Sequence, residues 1–226
     1  MSEFLQIYAE NWSDWWPQLV PAMWNTVALT ALSYLFAVVL GIILALGKLS
    51  KIRVVRALCK SYIEFVRGIP ALAILFLLYF ALVPLGIVFN SFTAAVIGLG
   101  MNQGGYMAEV FRGGIEALHK GQREAALAVG MTPVKAYRNI IMPQAIRIVL
   151  PPLLNMLINL LKDTSICSLI SAPELMLRAK DIASMSFRPM HIYLLIGVLY
   201  FTMAWPLSMI TRRVEAHMHR GRRSTV

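Results

Sequence analysis

Uncharged stretches alternate along the chain with short basic ones, and that alternation sets the first expectation. Trp15 to Gly47, Gly68 to Ala108 and Pro189 to Thr211 each lack Asp, Glu, Lys and Arg. A helix needs about 20 residues to cross the hydrocarbon of a bilayer, so the first and last runs predict one crossing each. The middle run is long enough for two, with Pro84, Gly86, Asn90 and Ser91 supplying the turn between them. Ile148 to Pro173 is apolar except for Lys162 and Asp163 and predicts a further span. The pattern therefore predicts an all-α integral membrane protein with five transmembrane helices, at about 19–46, 62–83, 90–112, 146–170 and 190–211, forming one domain over 1–226. No internal repeat, low-complexity tract or long linker divides it. No charged segment leads into a short apolar core with a small-residue cleavage site, so no removable signal peptide is expected.

Composition agrees: 58% of the 226 residues are hydrophobic and 14% are charged, against about a quarter charged in soluble domains. The formal net charge of +10 would suit nucleic acid, but its distribution argues against that partner. Lys48, Lys51, Arg53, Arg56 and Lys60 fall in the first connection, Arg112 to Arg147 frame the third, and Arg212, Arg213, Arg220, Arg222 and Arg223 end the chain. Placing all three clusters in the cytoplasm satisfies the positive-inside rule and leaves the N-terminus, with Glu3, Glu10 and Asp14, outside. Trp12, Trp15, Trp16 and Trp24 then mark the outer interface with membrane lipid. Cys59 and Cys167 fall at different depths and are not expected to pair.

One stretch breaks the apolar pattern. In "GQREAALAVGMTPVKAYRNIIMPQA" (121–145) a helical run, Gln122 to Val129, meets Gly130 at the position of a left-handed C-terminal cap, and Thr132 with Pro133 opens a second helix. Val134, Tyr137, Ile140 and Ile141 share its apolar face, and it is expected to end at or just before Pro143. Such a basic hairpin (121–143) either rests on anionic lipid, connects two spans, or docks on another protein. The small residues of "EAALA" favour docking, because they let a partner surface approach closely.

The same residues resemble the EAA loop of ATP-binding cassette (ABC) importer permeases, through Glu124, Ala125, Ala126, Gly130, Ile140 and Pro143. The surrounding text, "YIEFVRGIPALAILFLLYF" (62–80), "GGYMAEVFRGGIEALHKGQREAALAVGM" (104–131) and "LLKDTSICSLIS" (160–171), is similar in order and spacing to the permeases of polar amino acid importers of the histidine, glutamine and arginine type. The resemblance implies the type I ABC importer permease architecture, in the bacterial inner membrane, with the EAA loop as a coupling helix. It implies as partners a dimer of cytoplasmic ATPases, a second permease subunit, identical or homologous, and a periplasmic amino-acid-binding protein. The chain has no G-x-x-x-x-G-K-[ST] loop, so ATP and Mg belong to the partner ATPase and no cofactor is expected on this chain. It is expected to be a transport subunit and not an enzyme.

Ionisable groups at membrane depth are costly and usually face a cavity or a partner. Glu64 lies one turn from Lys60 and Arg67 and reads as an interfacial ion pair. Asn102, Gln103, Tyr106 and Glu109 can share one face of the third span, with Glu109 either paired to Arg112 or lining a cavity. Gly100, Gly104 and Gly105 allow close backbone approach or a local break. On the fourth span Asn155, Asn159 and Asp163 recur at i+4, with Lys162 turned to the outer interface. For an amino-acid zwitterion, Asp163 or Glu109 can accept from the ammonium, while Asn159, Thr164, Tyr106 and Gln103 orient the carboxylate or side chain. A secondary amino acid transporter would share the spans and polar stripe, but would need no coupling helix and would tend to show an inverted repeat. A membrane hydrolase using Ser165 or Ser168 with His191 would lack any nucleophile-elbow or metal motif.

Overall fold

The computed structural model describes residues 2–117 and 120–219, all helix and connecting turns. Helix α1 runs unbroken over Ser2–Lys48 and carries Pro17 and Pro21 inside it, a feature that membrane helices accommodate. The expected second span is broken. Helix α2 (Arg53–Gly68) stops where Ile69 adopts an extended conformation (φ −117°, ψ 149°) ahead of Pro70, because a residue preceding proline is pushed out of the helical region. Helix α3 (Ala71–Phe76) then continues into a π turn, Leu77–Ala81, and a short 3-10 turn, Val83–Leu85. The two halves meet at 106°.

The turn expected around Pro84 and Gly86 is present: Gly86 is left-handed (φ 78°), and Asn90 Oδ1 accepts from Thr93 N at 2.8 Å to cap α4 (Ser91–Glu116). Beyond α4 come α5 (Lys120–Ala128), α6 (Pro133–Ala136), a π turn over Tyr137–Ile141 and α7 (Met142–Asp163). Helices α8 (Leu175–Ser186) and α9 (Pro189–His219) complete the chain; α8 had no counterpart among the expected spans. The tail residues Arg220, Arg222 and Arg223 lie outside the described residues.

Among the described residues, three helices are long and apolar enough to cross a membrane, Phe4–Lys48, Pro133–Ile170 and Pro189–Met218, and the bent α2–α3 pair makes a fourth if taken as one span. Helix α4, expected at 90–112, is a helix of the required length that is less apolar than these. It sits in the middle of the molecule, packed by α1, α2, α3 and α7, so protein rather than lipid covers most of it and apolar side chains are not required all round. Gly100, Gly104 and Gly105 are contact points and not breaks. A Cβ at Gly100 would stand 2.3 Å from Phe36 of α1, one at Gly105 2.4 Å from Val66 of α2, and one at Gly114 2.0 Å from Val149 of α7. Small residues at such crossings are the usual means of close helix packing in membranes.

Two further expectations are corrected. The second arm of the hairpin does not end before Pro143. Pro143 has no N–H to give back to the preceding turn, and the wider π turn absorbs the defect, with Met142 N donating to Tyr137 O. The helix therefore passes from α6 into α7 without a break; on the α6 arm Ala136 is buried, while Val134 is exposed. Trp15 is not at the lipid interface but 3% exposed, packed with Leu19, Leu175, Ile182 and Ile192. Trp12, Trp16 and Trp24 are exposed, the first two stacked at 4.9 Å.

Candidate functional site

Where α2 breaks, its last turn is held against the middle of α4. Asn102 Nδ2 donates to Val66 O at 2.9 Å, and Tyr106 OH donates to Arg67 O at 3.3 Å. These bonds satisfy carbonyls that the broken helix leaves free. They also fix Arg67, whose guanidinium carbon lies 5.3 Å from the centroid of the Tyr106 ring, a cation–π arrangement. On the other side, α7 brings Asp163 to α4, where Gln103 Nε2 donates to Asp163 Oδ2 at 3.4 Å.

Between these elements lies a polar cavity of ≈ 720 Å³. Of the six residues expected to meet substrate, Gln103, Tyr106, Glu109, Asn159 and Asp163 line it, together with Arg67, Asn102 and Lys162. Thr164 does not: it is fully buried and its hydroxyl donates to Leu161 O at 2.7 Å, because the chain tightens into a 3-10 turn over Thr164–Ile170 directly after Asp163. Lys162, exposed, also lines the cavity beside Asp163. The i+4 stripe on α7 is divided, since Asn155 donates instead to Glu215 Oε1 of α9 at 3.2 Å.

Glu109 takes both roles that its sequence allowed. It lines the cavity, yet both its oxygens are engaged. Lys48 Nζ at the end of α1 reaches Oε1 at 2.5 Å, and Arg112 donates to Oε2 from Nε at 3.0 Å and Nη2 at 2.8 Å. Arg112 also pairs with Glu116. The Lys48 contact, between residues 61 apart, has no signature in sequence spacing. Lys60 and Glu64 form the expected pair at 3.6 Å, well exposed.

A second polar cluster went unnoticed in the sequence. Glu174, 1% exposed, caps α8 by accepting from Met176 N and Leu177 N at 2.8 and 2.7 Å, and accepts from Tyr200 OH of α9 at 2.8 Å. Leu175 N donates to Thr26 Oγ1 of α1 at 3.0 Å, and Lys180 Nζ to Ser168 Oγ at 2.8 Å. This cluster ties α1, α8 and α9 together beside the end of α7. Ser168 is engaged there, whereas His191 stacks on Phe4 at 4.3 Å, so the two do not form a nucleophile–base pair. Cys59 and Cys167 are both free.

The hairpin keeps its expected turn. Met131 N donates to Ala126 O at 3.1 Å and Gly130 N to Leu127 O at 3.0 Å, with Gly130 at φ 82°, the Schellman arrangement that favours glycine. Thr132 Oγ1 accepts from Lys135 N at 3.4 Å. Glu124 and Ala125 are exposed, but Ala126 is buried within the chain, where α5 lies against α6 and the π turn. Around the turn Leu127, Val129 and Val134 are exposed, the last two 77% and 76%.

Residues 37–224 match the family model described as "Binding-protein-dependent transport system inner membrane component". The "Probable amino-acid ABC transporter permease protein YckA" of Bacillus subtilis (strain 168) is 40% identical over 185 residues, 82% of this chain and 82% of that protein. The "L-cystine transport system permease protein TcyB" of the same organism is 34% identical over 208 residues, 92% of this chain and 89% of that one. Among solved structures, a chain of the "Crystal structure of an amino acid ABC transporter with histidines" superposes with a TM-score of 0.86 at 36% identity, covering 95% of this chain and 98% of that chain.

Proposed function

The chain belongs to the family of binding-protein-dependent transport system inner membrane components, and from that premise we propose that its polar cavity is the path of an amino acid through an ABC importer. The chain is a transport subunit and not an enzyme, and the secondary-transporter alternative falls with the family membership. The observation that carries the proposal is the convergence of Arg67 from α2, Gln103, Tyr106 and Glu109 from α4, and Asn159 and Asp163 from α7 on one cavity. In that cavity Asp163, held among the described residues by the Gln103 amide alone, accepts from the α-ammonium of the ligand, and the Arg67 guanidinium, with its planar fork of donors, receives the α-carboxylate.

In this reading α4 is a fifth span whose polarity serves the cavity, and the hairpin over 121–143 is the EAA-loop coupling helix. Its exposed Leu127, Val129 and Val134 would enter a groove of a cytoplasmic ATPase dimer that holds ATP and Mg. Glu124 and Ala125 would meet the rim of that groove, while buried Ala126 holds the two arms together and Gly130 sets their angle. A second permease subunit and an external binding protein complete the importer. The basic residues place Lys48, the hairpin and Arg212 in the cytoplasm and the N-terminus outside the inner membrane.

The test is Asp163→Asn in the complete importer, assayed by uptake of a panel of labelled amino acids. The substitution keeps the side-chain size and removes the charge, so uptake should fall roughly tenfold or more, the contribution of one charge-assisted contact, with membrane abundance unchanged. Normal uptake in that variant would place the path elsewhere.

A further inference from the structure

Resting on the reading of the cavity as an amino-acid path, we infer that the cavity selects amino acids with an acidic side chain, receiving two carboxylates and one ammonium. Four charged residues line it: Arg67, Glu109, Lys162 and Asp163. Their formal charges cancel, but their availability does not. Glu109 commits one oxygen to Lys48 and the other to two bonds from Arg112, so its charge is already matched by protein cations. Among the described residues, neither Arg67 nor Lys162 has an acidic partner within ion-pair distance. The Arg67 guanidinium rests on the Tyr106 ring, which leaves its N–H donors for other work. Asp163 accepts a single long bond from a neutral amide. The groups open to a ligand are therefore two cations and one carboxylate.

An amino acid with a carboxylate side chain carries the complementary set at neutral pH. Its ammonium meets Asp163, one carboxylate takes the Arg67 fork, and the other meets the Lys162 ammonium. A neutral side chain leaves one cation facing an uncharged group. A cationic side chain adds a third positive charge beside Arg67 and Lys162, and like charges repel at that range even where water screens them in part. Rejection of the cationic class thus comes from like charge, and preference over the neutral amide comes from an unmatched lysine.

Binding of L-glutamate, L-aspartate, L-glutamine and L-lysine to the purified permease–ATPase complex, measured by calorimetry without the external binding protein, tests the inference. That design removes the binding protein's own selectivity. The acidic pair should bind at least about tenfold more tightly than glutamine, and lysine more weakly still. In Lys162→Met the preference for glutamate over glutamine should vanish, and in Lys162→Glu it should invert toward lysine, with elution volume and thermal midpoint confirming an intact complex. Glutamine or lysine binding as tightly as glutamate, in an Asp163-dependent manner, would overturn the acidic class and leave the cavity as an amino-acid path. If none of the four binds the unmodified complex while another amino acid is taken up by the complete importer, the acidic class falls and the path stands; if no amino acid is taken up, both readings fall together.

Discussion

Whether Glu109 is closed to ligands can be decided by a double-mutant cycle on its contact with Lys48. Lys48→Met removes the ammonium while keeping most of the packing stem, and Glu109→Gln removes the charge from the other side. The contact is short, 2.5 Å, between side chains 23% and 19% exposed. A hydrogen bond between charged groups contributes about 1.5–3 kcal/mol. Orphaning a buried charge costs more, about 3–5 kcal/mol, but Lys48→Met does not orphan Glu109, because both Arg112 bonds remain. The residual exposure lowers the expectation further, so Lys48→Met should cost about 1–2 kcal/mol. Glu109→Gln should cost more, about 2–3 kcal/mol, since it leaves Lys48 and Arg112 as neighbouring cations without their counter-charge. In the Glu109→Gln background Lys48→Met should cost little, giving a coupling energy of about 1–2 kcal/mol. Thermal unfolding of the purified complex reads these values as midpoint shifts of roughly 2–4 °C per kcal/mol. Additive effects, with coupling below about 0.3 kcal/mol, would show that the Lys48 contact contributes nothing, and Glu109 Oε1 would then have to be counted among the groups open to substrate.

Replacing Gly130, at φ 82°, by Val opposes the left-handed backbone by about 1 kcal/mol or more; ATPase co-purification or the coupling of hydrolysis to uptake should weaken while membrane abundance holds, and unchanged coupling would return the hairpin to a surface connection. Gly105→Leu should destabilise the α2–α4 contact by about 1–3 kcal/mol or more, since even a Cβ there meets Val66 at 2.4 Å; a thermal midpoint equal to that of the unmodified complex would contradict the close approach. For orientation, an impermeant thiol reagent applied to intact cells should label Ser13→Cys and spare Ala216→Cys, and the reverse pattern would invert the proposed topology.

Element positions were legible wherever the signal is local. Asn90, Gly130 with Met131, and Thr132 with Pro133 mark helix ends through bonds to residues three to five positions away, and a reader of sequence has all the partners in view. The break between α2 and α3 was written in Gly68-Ile69-Pro70, but its consequence was not. An uncharged run counts residues and not direction, so it cannot distinguish a straight span from one bent by 106°. Pro143 misled for the opposite reason: a helix end and a π turn both answer a missing N–H, and the choice between them is made by whether the following helix packs, as α7 does against α4 and α9.

The site shows where local reasoning stops. Offsets of three and four residues placed Gln103, Tyr106 and Glu109 on one face of α4, and packing kept them together. The same rule applied to α7 joined Asn155 to Asn159 and Asp163, yet one stripe can serve two neighbours, and Glu215 of α9 takes Asn155. Arg67 and Lys162 looked like interfacial charges because each stands near the end of an apolar run. Depth along a run is not depth in the molecule when the run is broken: the corner at Ile69–Pro70 turns α2 so that its last turn meets Asn102 and Tyr106 at mid-α4. The residue that sequence assigned to the membrane surface is thereby carried to the cavity wall. The charge balance there is set less by which ionisable residues line it than by which of them the fold has already paired.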